Sequence, residues 1–286
     1  MRKLALSLSL AGALVLAACG GDSASSDTTA ASASGASASE CVAGKTLEDG
    51  VLTIGTGNPA YSPWVENDKP ESKEGFEAAV AYAIAGELGF EDANVKWVRT
   101  TFDEAIQPGK KNFDFNLQQY SITPERKETV SFSDGYYSTN QALVGFGDSA
   151  AKGLTTLAEI KKLKLGAQAG TTSFDYITNV IKPDQEPFAY DDNAGAKAAL
   201  EAKQIDAAVF DLPTALYVSA VEIEGSAVLG QFPAEAGGDE FGLVFDLNNP
   251  LVECVNTALA TLKSNGELEK ITTQWLSSKT EIPVIK

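Results

Sequence analysis

The sequence contains no histidine, and its 286 residues include only three cysteines and one methionine. The common zinc sites, the Ser-His and Cys-His nucleophile pairs and imidazole general bases all depend on the missing or scarce side chains. The composition therefore excludes these sites and catalytic pairs, and we expect a protein that is not an enzyme and holds no metal and no cofactor.

Basic residues are also scarce. Lys and Arg number 22 against 39 Asp and Glu, a formal net charge of −17, which becomes −19 once Arg2 and Lys3 are removed with the leader described below. Such a balance repels nucleic acid and anionic lipid. We therefore expect no nucleic-acid partner.

One long apolar run is present, and it stands at the N-terminus. Arg2 and Lys3 precede the run LALSLSLAGALVLAA at 4–18, which is too short to span a bilayer and has the layout of a secretory signal. It ends in Leu16-Ala17-Ala18-Cys19, which resembles a bacterial lipobox. Residues 1–18 are thus predicted to be a lipoprotein signal peptide, with Cys19 carrying the lipid (a palmitate). The alternative is an ordinary signal peptide followed by an accidental cysteine.

After Cys19 the chain to residue 40 is almost entirely Gly, Ser, Ala, Thr and Asp. Such a stretch buries too little apolar surface to offset the entropy of ordering it. We predict a disordered tether, so that the domain is lipid-anchored to the cell membrane on its extracytoplasmic face. Cys41 and Cys254 remain in the mature domain, and an even pair in an oxidising compartment predicts a disulfide. Two buried, unpaired thiols are the alternative.

In the body of the chain, β-branched runs alternate with amphipathic runs of helical spacing. The predicted strands are Val51–Thr56, Val95–Thr100, Phe113–Leu117, Gln141–Phe146, Lys164–Gln168, Ile205–Phe210 and Phe241–Phe245. The predicted helices are Gly75–Leu88, Thr172–Ile181, Ala194–Ala202, Pro213–Val221, Pro250–Lys263 and Leu268–Leu276. This alternation favours an α/β fold with helices covering mostly parallel sheets.

The most specific motif is Ser121-Ile122-Thr123-Pro124-Glu125-Arg126, followed by Phe132-Ser133-Asp134-Gly135-Tyr136-Tyr137. It resembles the corresponding run of the bacterial extracellular solute-binding proteins of family 3, which serve polar amino-acid ABC transporters. Further matching segments follow in the same order, namely Ile54-Gly55-Thr56, Tyr61-Ser62-Pro63-Trp64, Gly75-Phe76-Glu77, Gln168-Ala169-Gly170-Thr171-Thr172 and Ile205-Asp206-Ala207 to Asp211. The resemblance covers nearly everything after Cys41.

The resemblance implies a two-lobed, type II periplasmic-binding-protein-like fold, with two mostly parallel sheets joined by two hinge crossings. Segments at Ser138–Gln141 and Gln231–Glu240 suit the crossings. Lobe 1 is then 41–139 plus 240–286, and lobe 2 is 140–239. The implied partners are an amino acid and an ABC permease in the membrane, and a freely closing monomer is expected.

Arg126 suits the carboxylate of an amino acid, because its planar fork donates two parallel charge-assisted hydrogen bonds. The alternative is a surface salt bridge within the charged run around it. Ser121 precedes a helix predicted to begin at Pro124, where it would join Arg126 on the anion or cap the helix.

From lobe 2, Gln168 and the helix start at Thr171 and Thr172 would supply a second anchor for the carboxylate. Simple N-capping competes with this interpretation for Thr171. Asp211 ends a strand and resembles the family's acidic partner for the α-ammonium group, with an N-cap as its alternative role.

Tyr61, Trp64 and Phe102 match positions where the family lines its pocket with aromatic rings, although core packing is the ordinary fate of such residues. Two departures bear on specificity. Asn58 stands near a position that is acidic in many relatives, and Gln119 replaces a small residue, so that it would narrow the pocket or offer its amide. Since an acidic ligand would need a further cation, we expect a neutral side chain.

Two other functions fit the same scaffold. An extracytoplasmic dehydratase for a cyclic amino or keto acid would need a general acid or base in the cleft, for which Asp211 and Glu77 are the candidates. A sensor would act by docking on a membrane receptor.

Overall fold

The computed structural model describes residues 38–233, 239–276 and 281–286. The predicted signal peptide, Cys19 and the tether as far as residue 37 lie outside the described residues. The first described element, helix α1 (Ala38–Val42), begins slightly before the predicted domain start. Among the described residues, no helix combines the length and the apolar character that a membrane span requires.

Two five-stranded sheets and a two-stranded ribbon form the framework. Along the chain the strands are β1 (Leu52–Gly57), β2 (Val95–Thr100), β3 (Phe115–Asn116), β4 (Ser131–Phe132), β5 (Tyr137–Thr139), β6 (Gln141–Phe146), β7 (Leu165–Gln168), β8 (Phe188–Tyr190), β9 (Ala207–Asp211), β10 (Ser226–Gln231), β11 (Asp239–Phe241) and β12 (Val244–Phe245). The first sheet has the order β2-β1-β3-β12-β4 and the second the order β10-β6-β9-β7-β8.

Each sheet has a parallel set of three strands and antiparallel pairs beside it. In the first sheet β1 lies parallel to β2 and β3, while β12 runs antiparallel to β3 and β4. In the second, β7 lies parallel to β8 and β9, while β6 runs antiparallel to β9 and β10. The carboxyl ends of the parallel strands form the edges where open α/β sheets place their ligands.

The crossings between the sheets are themselves paired. β5 and β11 form an antiparallel ribbon in which Thr139 lies opposite Asp239. The first crossing matches the prediction at Ser138–Gln141, and the second lies within Gln231–Glu240, of which 234–238 are outside the described residues. The two-lobed α/β fold is thus confirmed, and we call the parts built on the first and second sheets the first and second lobes.

Helices cover both sheets. They are α2 (Phe76–Glu87), α3 (Phe102–Ile106), α4 (Leu157–Ile160), α5 (Thr172–Asp175), α6 (Asn193–Glu201), α7 (Leu212–Tyr217), α8 (Leu251–Ser264) and α9 (Glu267–Leu276). Two of them continue as π-helical turns, α5 into Tyr176–Ile181 and α7 into Val218–Glu222. The helix α2 begins after Gly75, whose φ is 102° and where an added Cβ would lie 2.5 Å from the carbonyl oxygen of Trp64. Only glycine fits this position.

Cys41 and Cys254 are joined by a disulfide with a Cα–Cα distance of 5.8 Å, as the sequence predicts. The bridge ties the start of the domain to α8, which packs on the first sheet. Since the two cysteines are 213 residues apart, the bridge closes most of the folded chain into one loop.

Several strands differ from the prediction. The predicted strand Phe241–Phe245 is divided between β11 and β12, because its first residue belongs to the crossing and its last to the first sheet. Four strands, β4, β5, β8 and β10, were not predicted. Three of them are two or three residues long, too short for an alternating pattern to be visible.

The last residues also differ from the predicted domain division, which places 240–286 in lobe 1. Residues 281–286 lie against the second lobe, where Ile285 donates its N–H to Gln231 O and Lys286 donates its N–H to Thr155 O. Ile285 is 2% exposed and packs in a core of the second lobe. An added Cβ at Gly230 would lie 2.7 Å from the Ile285 side chain, so glycine is needed there.

Candidate functional site

A cavity of about 40 Å³ lies between the two lobes. The first lobe contributes Thr56 and Gly57 at the end of β1, and the second contributes Gln168 at the end of β7 and Asp211 at the end of β9. The other lining residues are Pro59, Ala60, Tyr61, Trp64, Val65, Glu77, Phe102, Gln118, Gln119, Arg126, Thr171, Thr172, Ser173, Asn193, Phe210 and Thr214. The cavity therefore occupies the edge that the fold makes available for a ligand.

Arg126 is buried in the first lobe and lines this cavity. Its Nη1 donates to Ser121 O at 2.8 Å, its Nη2 donates to Gly170 O of the second lobe at 3.0 Å, and its guanidinium carbon lies 5.2 Å from the centre of the Phe102 ring. Burial lowers the pKa of Arg126, an effect that the nearby carboxylates oppose. This environment contradicts the alternative of a surface salt bridge.

The segment before Arg126 is not the predicted helix. Ser121 forms a bridge with Phe241, and the chain makes one 3-10 turn at Arg126–Glu128. The Thr123 hydroxyl accepts a hydrogen bond from the N–H of Arg126, while the N-cap residue of the turn is Glu125, so Ser121 does not cap it. The Ser121 hydroxyl instead lies 3.1 Å from the Thr172 hydroxyl, across the gap between the lobes.

In the second lobe, Thr171 is both the N-cap of α5 and a lining residue. Its Oγ1 accepts from the N–H of Phe174 at 3.2 Å and donates to Gln168 O at 2.7 Å. Because the side chain already satisfies backbone groups, Thr171 holds the loop in place. Thr172 faces Ser121 and also lines the cavity.

Glu77 is a buried carboxyl group in the cavity wall, 1% exposed. It accepts hydrogen bonds from the Gln119 N–H at 2.8 Å, from the Gln119 side-chain amide and from the Tyr136 hydroxyl. Burial raises the pKa of Glu77 to about 7, and these hydrogen bonds oppose the rise. Gln119 lines the cavity as expected, but its amide is donated to Glu77, and its φ of 52° belongs to the left-handed region.

Asp211 faces the same cavity from the second lobe. Its carboxylate accepts a hydrogen bond from Gln141 Nε2 at 2.9 Å. Burial, and after it the nearby Asp239, raise the pKa of Asp211 to about 7, while Gln141 and Arg126 oppose the rise. Asp211 stands at the N-cap position of α7, but its side chain makes no capping hydrogen bond, so the N-cap alternative does not describe it.

Trp64 belongs to the core as well as to the cavity wall. It is 1% exposed and packs edge-on against Phe76, Tyr137 and Phe241. Its Nε1 donates across the lobes to the hydroxyl of Thr214 at 2.9 Å. Both interpretations of this tryptophan therefore describe part of its environment.

Tyr61 and Phe102 line the cavity from the first lobe. The ring of Tyr61 lies 4.7 Å from Lys197 Nζ of the second lobe, and burial raises the pKa of its phenol to about 12. Phe102 stacks on Tyr120 with ring centres 4.6 Å apart and is also the ring beneath Arg126. Asn58 is exposed and does not line the cavity, so the structure does not bring it to the site.

Sequence reasoning left several lining residues out of the predicted site. The cavity is also lined by Glu77, which the sequence marks only as a candidate acid, and by Gln118, Asn193 and Thr214, which are not among the predicted site residues. Gln118 could be found from the sequence, because it is a polar residue next to Gln119, a predicted site residue. Asn193 and Thr214 reach the cavity only through tertiary packing. Among residues 38–233, 239–276 and 281–286, no group of three or more metal-binding side chains is close enough to hold a metal ion.

The chain is similar to known proteins both in sequence and in structure. The arginine-binding periplasmic protein of Mannheimia haemolytica is 32% identical over 225 residues, covering 77% of this chain and 90% of that protein. An ancestral arginine-binding protein bound to arginine is similar in structure, with a TM-score of 0.65 and 30% identity over 80% of this chain and 99% of that one.

A second solved structure is that of the ancestral amino acid-binding protein AncCDT-1, described as a precursor of cyclohexadienyl dehydratase. It has a TM-score of 0.65 and 28% identity over 80% of this chain and 96% of that one. The family model for bacterial extracellular solute-binding proteins, family 3, matches residues 52–278. These residues include both sheets and every lining residue of the cavity, and the chain belongs to the bacterial extracellular solute-binding proteins, family 3.

Proposed function

We propose that this protein is the extracytoplasmic substrate-binding lipoprotein of an ABC importer and captures an amino acid, or a similar small amine-carboxylate, by closure of its two lobes. The observation that carries the proposal is the pairing of Arg126 and Asp211, a cation and an anion that line one cavity from opposite lobes. A free amino acid presents the complementary pair of charges, and a water-excluded site must satisfy both.

Arg126 would bind the α-carboxylate. Its guanidinium has five N–H donors, and the backbone carbonyls of Ser121 and Gly170 hold it in place through two of them. The Ser121 and Thr172 hydroxyls stand beside each other across the gap and would add further donors. Asp211 would take the α-ammonium, because it is a carboxylate of the second lobe that lines the cavity and its ionised form accepts hydrogen bonds.

Closure would follow from contacts that need both lobes at once. Arg126 to Gly170 O, Ser121 to Thr172 and Trp64 to Thr214 all cross the gap. A ligand bound between the same walls stabilises the closed arrangement only through its tighter contacts there. We propose that the lobes divide near residues 139–140 and 239–240, with 281–286 docked on the second lobe, and that the permease recognises the closed monomer.

The side chain of the ligand would lie toward Glu77, Gln118 and Trp64. The expectation of a neutral side chain came from the scarcity of cations, which argues against an acidic ligand only. Since Glu77 lines the cavity in addition to Asp211, a second carboxyl group is available there, and in its ionised form it would also suit a cationic side chain. L-Arginine is therefore the first amino acid to test, followed by the other nineteen.

A thermal-shift screen of residues 38–286 against the twenty amino acids tests the proposal. A ligand at one hundred times its Kd should raise the unfolding free energy by about 2.7 kcal/mol, because it binds only the folded state. Arg126→Ala should abolish the shift, whereas Lys270→Ala, which removes an exposed cation that bonds to Glu267 on α9, should leave it unchanged. If no amino acid stabilises the wild type, the proposed ligand class is wrong.

The dehydratase alternative is tested with the same preparation. The similarity to AncCDT-1 makes prephenate and arogenate the substrates to incubate with the protein. Release of an aromatic product, abolished by Glu77→Gln or Asp211→Asn, would replace binding by catalysis as the function. The anchor is tested in the full chain, where Cys19→Ala should release the protein from the membrane fraction and prevent labelling with a palmitate analogue.

A further inference from the structure

Gln141 occupies the junction between the cavity and the hinge. It is the first residue of β6, directly after the first crossing, and its side chain is buried with 4% exposure. In the antiparallel register of the second sheet, Gln141 lies opposite Asp211. Strand pairing therefore places this amide beside the carboxylate proposed to bind the α-ammonium.

The amide of Gln141 contacts three polar side chains on three different elements. Nε2 donates to Asp211 Oδ1 of β9 at 2.9 Å and to Asp239 Oδ2 of the crossing strand β11 at 2.6 Å. Its Oε1 accepts from the Ser173 hydroxyl of α5 at 2.6 Å. An amide NH₂ has two donors, so both are used to bridge two carboxylates that would otherwise face each other.

We propose that Gln141 is a positioning residue for ligand binding, which holds the Asp211 carboxylate toward the cavity and connects it to Asp239 on the second crossing. The inference rests on the proposed function, since it takes Asp211 as the partner of the α-ammonium. It goes further by assigning a role to two residues that do not line the cavity, Gln141 and Asp239.

The two hydrogen bonds that Gln141 donates to Asp211 and Asp239 affect the protonation of these carboxylates. Two carboxylates at close range repel each other and favour protonation of one of them, and a hydrogen-bond donor shared between them opposes that. A protonated Asp211 would lose its attraction for an ammonium group. Gln141 therefore favours the ionised form of the binding carboxylate while Asp239 remains next to it on the hinge ribbon.

The charged and titratable groups around Asp211 come from every neighbouring element. They are Asp239 on β11, Arg126 on the turn after Ser121, Glu77 on α2, and Tyr136 and Tyr137 at β5. Among them, Asp239 raises the pKa of Asp211 most, after burial, while Gln141 lowers it. Removing Gln141 should thus raise the pKa of Asp211, and removing the Asp239 charge should lower it.

The test measures the Kd of the tightest-binding of the twenty amino acids, L-arginine being tried first, by calorimetry between pH 5.5 and 9. Wild-type affinity should rise with pH as Asp211 ionises. Gln141→Met should weaken binding roughly tenfold at pH 7 and move the midpoint of this rise to higher pH, because a hydrogen bond to a charged group is lost. Asp239→Asn should move the midpoint to lower pH.

Asn140→Leu is the matched control. Asn140 is the adjacent amide, and its Nδ2 donates to Gln231 Oε1 instead of to a carboxylate. It should leave the midpoint where the wild type has it, whatever it does to the melting temperature. If Gln141→Met does not fold, the downward shift in Asp239→Asn still decides the question.

Wild-type midpoints in both Gln141→Met and Asp239→Asn would overturn the inference, even if Gln141→Met melted at a lower temperature. A wild type that binds none of the twenty amino acids would overturn the proposed function and this inference with it. If the wild type binds an amino acid but both variants keep the wild-type pH midpoint, this inference alone is overturned.

Discussion

The two lobes have the same layered plan but are held together differently. The first lobe has more than one core, and the largest of them contains large aromatic side chains, among them Trp64, Phe76 and Phe241, and carries the disulfide. The second lobe has a core on each side of its sheet, built mainly from Ala, Val, Leu and Ile, and the last residues of the chain complete one of them. The disulfide ties the first lobe together covalently, whereas residues 281–286 complete the second lobe through non-covalent contacts.

The two closures also differ from the site in their position relative to the region that the family model matches. The family model ends at residue 278, so Ile285 and Lys286 lie beyond it, and the start at residue 52 leaves Cys41 outside as well. Each closure therefore has one part outside the matched region, while Cys254 and Gln231, the partners of those parts, lie within it. The site between the lobes lies wholly within it.

Breaking the covalent closure should have the largest effect on stability. Replacing Cys41 and Cys254 together by serine should lower the free energy of unfolding by about 4 kcal/mol, since a long loop in the unfolded chain is no longer closed. Urea denaturation, with the wild type under reducing conditions as a second measurement, checks this. The amino-acid Kd of the folded variant should stay unchanged, because neither cysteine lines the cavity.

Weakening the docking of residues 281–286 should lower the free energy of unfolding somewhat less than removing the disulfide does. Ile285→Ala removes a buried side chain from the core that contains Phe232 and Leu143, and we expect a loss of about 3 kcal/mol. The matched control is Val284→Ala, since Val284 is 51% exposed and its neighbour's contacts remain. Equal melting temperatures for the two variants would show that residues 281–286 do not stabilise the second lobe.

The pH dependence of stability tests the protonation of Glu77, a buried carboxyl group of the first lobe. The pKa of Glu77 is raised to about 7 by burial, so the folded protein holds a proton that the unfolded chain releases near pH 4.5. Stability should therefore fall as pH rises from about 4.5 to 7, by roughly 3 kcal/mol from this group. In Glu77→Gln this part of the fall should be absent, which denaturation at pH 5 and pH 8 measures. Unchanged pH dependence would mean that Glu77 is ionised throughout.

The sequence predicted the elements that carry a repeating pattern and missed those that depend on distant partners. β6 runs over Gln141–Phe146 as predicted, and α2 differs from its prediction by one residue at each end, because alternation and helical spacing are local properties. The docking of Ile285 was not predicted, since a short apolar stretch near the chain end does not indicate which lobe it packs against.

The same limit applies to the site. Arg126 and Asp211 were predicted because a motif and a strand end mark them, and the structure places both at one cavity. Gln119 was expected to offer its amide to the ligand, but the amide is donated to Glu77, a residue 42 positions away. Hydrogen bonds between residues distant in sequence leave no pattern in the sequence.

The smallest expected effect concerns the contact that joins the two lobes directly. Trp64 Nε1 donates to Thr214 Oγ1, so Thr214→Val should remove one neutral hydrogen bond from the closed arrangement while keeping the shape of the side chain. The closed form should lose about 1 kcal/mol, and the amino-acid Kd should rise about fivefold, because ligand binding must then supply that difference. Trp64→Phe should have a larger effect on melting, since the tryptophan also fills the aromatic core of the first lobe. The double variant, Trp64→Phe with Thr214→Val, isolates the bond itself: if it weakens binding by the product of the two single effects, the two side chains do not interact across the gap.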